Sequence, residues 1–516
     1  MHSSFAPLDW LVIGLYTLLL FAGGWIFRPR GAGSAREYFL AGGTVPAWMA
    51  AISVLSATQS AATFLGGPDQ GFRGDYTYLS GNVGGLIGAL FVAKFLIPRF
   101  YAIRATTVYE LLEVRFSRRA MRAAGLMFLI GRVFAGGARV YLAAIAVAMV
   151  MFGSVDAGGI VVAAALVMVA AFTFTFAGGL RSVILNDLIQ FVVYLSAALA
   201  VLVWLWTSIP APAGAIIDGL AHSPGGVDKL RLFDWSWDPT RPFAMPAIIF
   251  GVSLLYVAST GTDQDVTQRL LASKDAKTGV RGLILSLVAT LPVVFMFVTI
   301  GLLLHVVYQR PELMGGQVLT LGTTFEGQKI STFMHYILTQ LPPGLRGLVT
   351  AGVFAAAIAT TNSALNAMSS VMVQDFYRPF KERRGGAEER HYVMAGRWGM
   401  ALAGLAMFGM AVLSFYWQRA TDKPLLEFAL QVMVFAYAGL LGVYFTALFS
   451  RRGSTNSVIA ALIAGFVSVA CCQPYLVSAL HLPLWLGTVA FPWQLCLGTA
   501  VATLVCLTAP GEKENA

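Results

Sequence analysis

The chain of 516 residues is 57% hydrophobic and only 12% charged, with a mean hydropathy of +0.73. That balance excludes the three or four soluble domains its length would allow, because apolar runs long enough to cross a hydrocarbon core of about 30 Å recur to the C-terminus. A net charge of +10 would suit nucleic acid, but the charges gather in the loops between apolar runs and read as a topology signal.

Thirteen such runs are expected to span, near 10–27, 47–71, 78–100, 122–152, 158–178, 184–208, 246–265, 280–307, 345–371, 393–416, 426–449, 456–476 and 485–507. Their length and lack of period-2 alternation predict helices, so the fold class is an all-α polytopic membrane protein with one transmembrane domain in a lipid bilayer. No Lys or Arg precedes the run at 10–27, and Arg28 and Arg30 follow it. It reads as a leading helix with its N-terminus outside, not as a cleaved signal. The loops then assigned inside (28–45, 98–122, 179–183, 266–281, 372–392, 450–455 and the tail) hold 22 Lys and Arg against about 8 outside. This is the positive-inside pattern, with a cytoplasmic C-terminus in the cell membrane.

The longest polar stretches, 208–245, 308–344 and 377–391, are too short to bury a core, so solute must be handled among the helices. Two five-helix sets, 47–208 and 246–476, followed by a trailing helix at 485–507, enter the membrane from opposite sides. Inverted-repeat transporters are built this way, with their sites where the first helix of each set is interrupted. Leu55-Ser-Ala-Thr-Gln-Ser-Ala-Ala-Thr63 is polar and small where a lipid-facing helix is apolar, and Gly66-Gly67-Pro68 is expected to end it. Ala258-Ser-Thr-Gly-Thr-Asp-Gln264 stands at the corresponding place in the second set.

Ionisable groups inside membrane runs are costly and mark function. Arg132 and Arg139, seven residues apart, share a helix face and suit an anionic partner, or else satisfy carbonyls and snorkel. Asp187 either binds a cation through oxygen or favours the positive end of its own helix. Ala355–Ala359 permit close helix approach, and Thr360, Thr361, Asn362 and Ser363 supply oxygens. Gly81, Gly84, Gly85 and Gly88 read as packing. Cys471, Cys472, Cys496 and Cys506 lack metal-ligand spacing and read as small apolar residues. No phosphate loop, zinc-protease or nucleophile-elbow motif occurs, so an enzyme is not expected.

Several segments resemble one family. Gly178-Gly-Leu-Arg-Ser-Val-Ile-Leu-Asn-Asp187-Leu-Ile-Gln190, Gly261-Thr-Asp-Gln-Asp-Val-Thr-Gln-Arg269, Leu365-Asn366 with Asp375-Phe-Tyr377, and Trp48 through Phe64 are similar, in order, to the sodium:solute symporters. The bacterial sodium/sialic acid and sodium/galactose members are the subgroup they most resemble. The resemblance implies a leucine-transporter-type 5+5 inverted repeat and sodium-driven alternating access. It places the sodium on Ser56, Gln59, Ala356, Ala359 and Thr360, with Ala359 standing where the family usually has serine. An optional second sodium falls on Asp187, Asn362 and Ser363. The solute pocket falls on Thr58, Ser60, Thr63, Tyr78, Asn82 and Arg132, the arginine gripping a carboxylate through its planar fork.

The expected function is therefore sodium-coupled import of a small polar organic solute, an acidic sugar or other carboxylate before a neutral one, by a chain that works as a monomer. A sodium-independent permease or solute sensor on the same fold stays open, as does a neutral sugar, amino acid or vitamin as the coupled solute.

Overall fold

The computed structural model describes residues 5–26, 34–223, 226–322, 324–325, 328–329, 331–421 and 425–511; Arg28 and Arg30 lie outside them. Each of the thirteen expected runs carries helix. In chain order these are α1 Pro7–Ile26, α2 Ala47–Thr58, α3 Ala61–Arg73, α4 Thr77–Ala102, α5 Arg118–Phe152 and α6 Ala157–Ser208. There follow α7 Met245–Thr262, α8 Gln264–Leu271, α9 Ala276–Gln309, α10 Leu345–Glu382, α11 Glu389–Thr421, α12 Leu425–Phe449, α13 Thr455–Ala470 and α14 Phe491–Leu507. Eight described helices are long and apolar enough to cross a membrane, or nine if the bent pair α2–α3 is one span, and α1, α6, α13 and α14 add shorter apolar stretches. A range of 246–476 thus holds six spans, so a second set of five closes at Phe449. The described strands form one two-residue hairpin, Thr324–Phe325 against Gln328–Lys329.

Side-chain caps start the helices where the chain leaves its loops. Ser117 accepts from the Ala120 amide, Asp156 from Gly159 and Asp275 from Thr278, each satisfying an amide that the first turn leaves without a partner. The expected boundary between 178 and 184 is a kink inside α6 at Gly179, whose φ of +60° and ψ of −163° suit only glycine. A β-carbon there would strike the Tyr38 carbonyl.

Large apolar side chains such as Leu15 and Leu18 on α1, Val288 on α9 and Leu405 on α11 are exposed. Lipid tails are as apolar as these side chains, so the helices are held together by close packing and polar contacts. α10 shows the first: Ala355, Ala356, Ala357, Ala359 and Ala364 are all buried, and α10 lies along α6 and against both α2 and α3. Outside the helices, Lys229 donates to the Phe72 and Gly74 carbonyls at 2.8 Å each and so closes the end of α3. Burial pulls its ammonium down to about 8, against the opposing pull of Asp75.

Contrary to the expectation from sequence, Gly66-Gly67-Pro68 does not end a helix; α3 runs through it to Arg73. These small residues serve packing instead. A β-carbon on Gly71 would strike the Val298 carbonyl, and one on Gly301 would strike the Pro68 carbonyl, so α3 and α9 meet backbone to backbone. Gly84 and Gly88 do the same for α4 on α7, whereas Gly81 meets nothing within 4 Å and opens the central cavity. Gly301→Val should lower stability by about 1–3 kcal/mol. Gly409→Val, with nothing within 4 Å of its β-carbon, should stay close to wild type; thermal unfolding of both purified variants checks this, and equal midpoints would refute the packing role.

Candidate functional site

The polar stretch before Thr63 breaks the first helix at Gln59 and Ser60, both extended, with a bend of 69° between α2 and α3. In a continuous helix the Ser56 carbonyl would accept from Ser60 and the Gln59 carbonyl from Thr63. Here Ser60 is a non-helical cap, and the Thr63 amide donates to the Ser60 carbonyl at 2.9 Å. The break therefore removes the helical donors of two carbonyls. On α10, which packs against this break, the Thr360 hydroxyl donates to the Ala356 carbonyl at 2.9 Å and keeps its lone pairs for another ligand. Carbonyl and hydroxyl oxygens of Ser56, Gln59, Ala356 and Thr360 are the hard donors sodium requires, so this set fits the ion. Ala359 brings no side-chain oxygen, and the Thr361 hydroxyl donates to the Ala357 carbonyl at 2.7 Å.

A cavity of about 160 Å³ lies beside the break, and all six expected solute residues, Thr58, Ser60, Thr63, Tyr78, Asn82 and Arg132, line it. The Asn82 amide nitrogen is held by the Leu79 carbonyl at 2.8 Å, while its oxygen is buried without a partner. Thr260 and Asp265 line the cavity from the second broken helix, which is extended at Asp263, between α7 and α8 and within the stretch singled out from sequence.

A buried ionic cluster forms one wall. Arg132 Nη2 lies 2.8 Å from Asp263 Oδ1 and 2.6 Å from Asp265 Oδ2. Tyr437 donates to the other oxygen of Asp263 at 2.5 Å. Arg269, fully buried, lies 3.2 Å from both Asp265 and Asp187 and donates to Ser53 at 2.8 Å. Arg132 is thus engaged by two carboxylates, unlike the free carboxylate-gripping arginine expected from sequence. Arg139, one face-repeat along α5, also lines the cavity, is half-buried, and among the described residues donates only to the Met433 thioether at 3.4 Å, a weak acceptor.

The residues expected for a second sodium are not assembled as a site. Asp187 Oδ2 accepts from Ser53 at 2.5 Å and from Arg269, leaving Oδ1 buried without a partner. The Ser363 hydroxyl is turned to Asp265, and the Asn362 amide, in the orientation its neighbours satisfy, donates to the Ala171 carbonyl at 2.7 Å and the Thr175 hydroxyl at 3.0 Å. Asp263, Asp265, Arg269 and Tyr437 were missed in the sequence reading, although the rule that singles out Arg132 and Asp187 applies equally to the three charged ones.

An all-helical bundle with two helices broken in mid-course, and a polar cavity lined from both breaks, defines a secondary transporter of the leucine-transporter type. The chain belongs to the sodium:solute symporter family, whose model matches residues 38–465. It is a sodium-coupled symporter working by alternating access, with sodium as its coupling ion, and not an enzyme. It is 29% identical over 528 residues to the sodium/sialic acid symporter NanT of Aliivibrio fischeri, covering 99% of this chain and 95% of that one. It is 27% identical to the sodium/sialic acid symporter SiaT of Proteus mirabilis over 89% of this chain and 88% of that one. The human sodium/iodide cotransporter is 25% identical over 88% of this chain and 68% of its own. Among solved structures, the substrate-bound outward-open state of a Na+-coupled sialic acid symporter superposes with a TM-score of 0.80 at 23% identity, covering 99% of this chain and 100% of that one.

Removing one partner from a buried pair leaves an uncompensated charge, at a cost of about 3–5 kcal/mol. Arg269→Met should therefore destabilise the protein strongly, and Asp187→Asn added to it should recover part of the loss. Thermal unfolding of the single and double variants tests this; additive losses would show that the two side chains act independently.

Proposed function

We propose that the solute is a carboxylate, an acidic sugar foremost, held in the central cavity by Arg139, with one sodium bound at the first helix break. The observation that carries this reading is the contrast between the two arginines. Arg132 is neutralised by Asp263 and Asp265, whereas Arg139 faces the cavity with no carboxylate among the described residues within salt-bridge distance. A guanidinium with a free fork in a low-dielectric cavity favours a planar anion over a neutral solute. Thr58, Ser60, Thr63, Tyr78 and Asn82 supply polar groups for the hydroxyls of a sugar acid. The sialic acid named for two relatives is a solute of this kind.

In this reading sodium ties the Ser56 and Gln59 carbonyls of the break to Ala356 and Thr360 of α10, and fixes the cavity wall that Thr58 and Ser60 share. Ion and solute then favour the same arrangement, so each tightens the other. The cell-membrane topology with the N-terminus outside and the C-terminus inside follows from the loop charges. The chain acts as a monomer, because the ion set and the cavity come from its own helices.

Proteoliposomes with an inward sodium gradient should accumulate N-acetylneuraminic acid but not its methyl ester, and replacing sodium by potassium should abolish accumulation. Equal uptake of acid and ester would overturn the carboxylate reading. Arg139→Gln should reduce acid uptake at least about tenfold, the loss of one charge-assisted hydrogen-bonded contact, with Arg139→Lys intermediate. Thr360→Ala should raise the sodium concentration for half-maximal uptake; an unchanged value would remove Thr360 from the ion site.

A further inference from the structure

Away from the central cavity, the entry to α2, the end of α4 and the α8–α9 turn enclose a second cavity of about 350 Å³. Arg36, Arg104 and Lys274 line it from three segments distant in sequence, and no acidic residue does. Among the described residues, none of the three cationic heads has a hydrogen-bonding or ion-pair partner. Two acids adjoin these cations in sequence, Glu37 beside Arg36 and Asp275 beside Lys274, and neither lines the cavity; Asp275 caps α9 through the Thr278 amide at 2.7 Å.

The wall between the cations is built. Ser273, only 2% exposed, lines the cavity with its hydroxyl buried and unpartnered. Its carbonyl accepts from the Tyr101 hydroxyl at 2.9 Å, and the same hydroxyl reaches the Leu270 carbonyl at 2.8 Å, which ties the end of α4 to the α8–α9 turn. Val45 joins them through the Ala272 carbonyl at 3.0 Å. Arg104 holds a φ of +53°, a left-handed backbone unusual for a residue with a β-carbon. Three exposed like charges brought together beside a buried hydroxyl donor make a local positive field that attracts an anion with several acceptor oxygens.

We propose that this cavity binds a phosphate-bearing anion through Arg36, Arg104, Lys274 and the Ser273 hydroxyl. The loop charges place it at the membrane surface on the cytoplasmic side, where phospholipid headgroups and free phosphate both present that chemistry. A bound anion bridges the arms leading into the first broken helix and out of the second, and so stabilises the arrangement of those arms seen here.

The test is thermal unfolding of the full chain in neutral detergent, titrated with dioctanoyl phosphatidylglycerol, dioctanoyl phosphatidylcholine or inorganic phosphate. Phosphatidylglycerol should raise the midpoint, and each of Arg36→Gln, Arg104→Gln and Lys274→Gln should weaken half-saturation by about fivefold. Ser273→Ala should weaken it as well. The triple control R383Q/R384Q/R390Q, which removes equal charge from another loop, should titrate like wild type. A shift with phosphatidylglycerol alone assigns the site to a lipid headgroup, and a shift with inorganic phosphate too assigns it to the free anion; either supports the proposal. No shift with either, an equal shift with phosphatidylcholine, or an unchanged titration in the variant lacking Arg36, Arg104 and Lys274 would overturn it.

Discussion

The structure depends on a buried ionic cluster at the second helix break. Asp263 ends α7, caps α8 through the Asp265 amide at 2.9 Å, and binds both Arg132 of α5 and Tyr437 of α12. Asp265 and Arg269 carry the cluster on to Asp187 of α6, with Ser53 of α2 and Ser363 of α10 attached. In lipid a broken helix exposes amides and carbonyls that have no water to meet, so a break persists only where other groups satisfy it. Each charge here is desolvated, and the pairs repay that cost only because every member has several partners at good distance.

That geometry sets the two arginines of α5 apart. Arg132 belongs to the scaffold, and Arg139 to the cavity. Asp187 and Ser363 are drawn into the cluster, which leaves Asp187 Oδ1 buried without a partner. In the proposed reading the first break is closed around an ion while the second is held by fixed charges, which gives the two broken helices different roles despite their related positions in the repeat.

Much of this is legible in sequence, for identifiable reasons. Span positions follow from hydropathy, and both breaks were expected where polar residues interrupt apolar runs; the extended residues fall at Gln59, Ser60 and Asp263. What sequence could not give was pairing. Arg132 and Asp263 are 131 residues apart, and nothing local tells that one arginine is neutralised while its neighbour on the same face is not. Gly66-Gly67-Pro68 was read as a helix end because these residues break helices in water, whereas beside α9 small size matters more. The cations around Ser273 contributed only to a count of inside charge until the fold brought them together.

The central claim is that one sodium at the first break and one carboxylate at Arg139 reinforce each other. Equilibrium binding of radiolabelled sodium to the purified protein, with and without saturating sugar acid, measures this most directly. The account predicts one sodium per chain, bound more tightly when the acid is present, with that tightening lost in Arg139→Gln while sodium binding itself remains. Two sodium ions per chain, or an affinity indifferent to the acid, would contradict it.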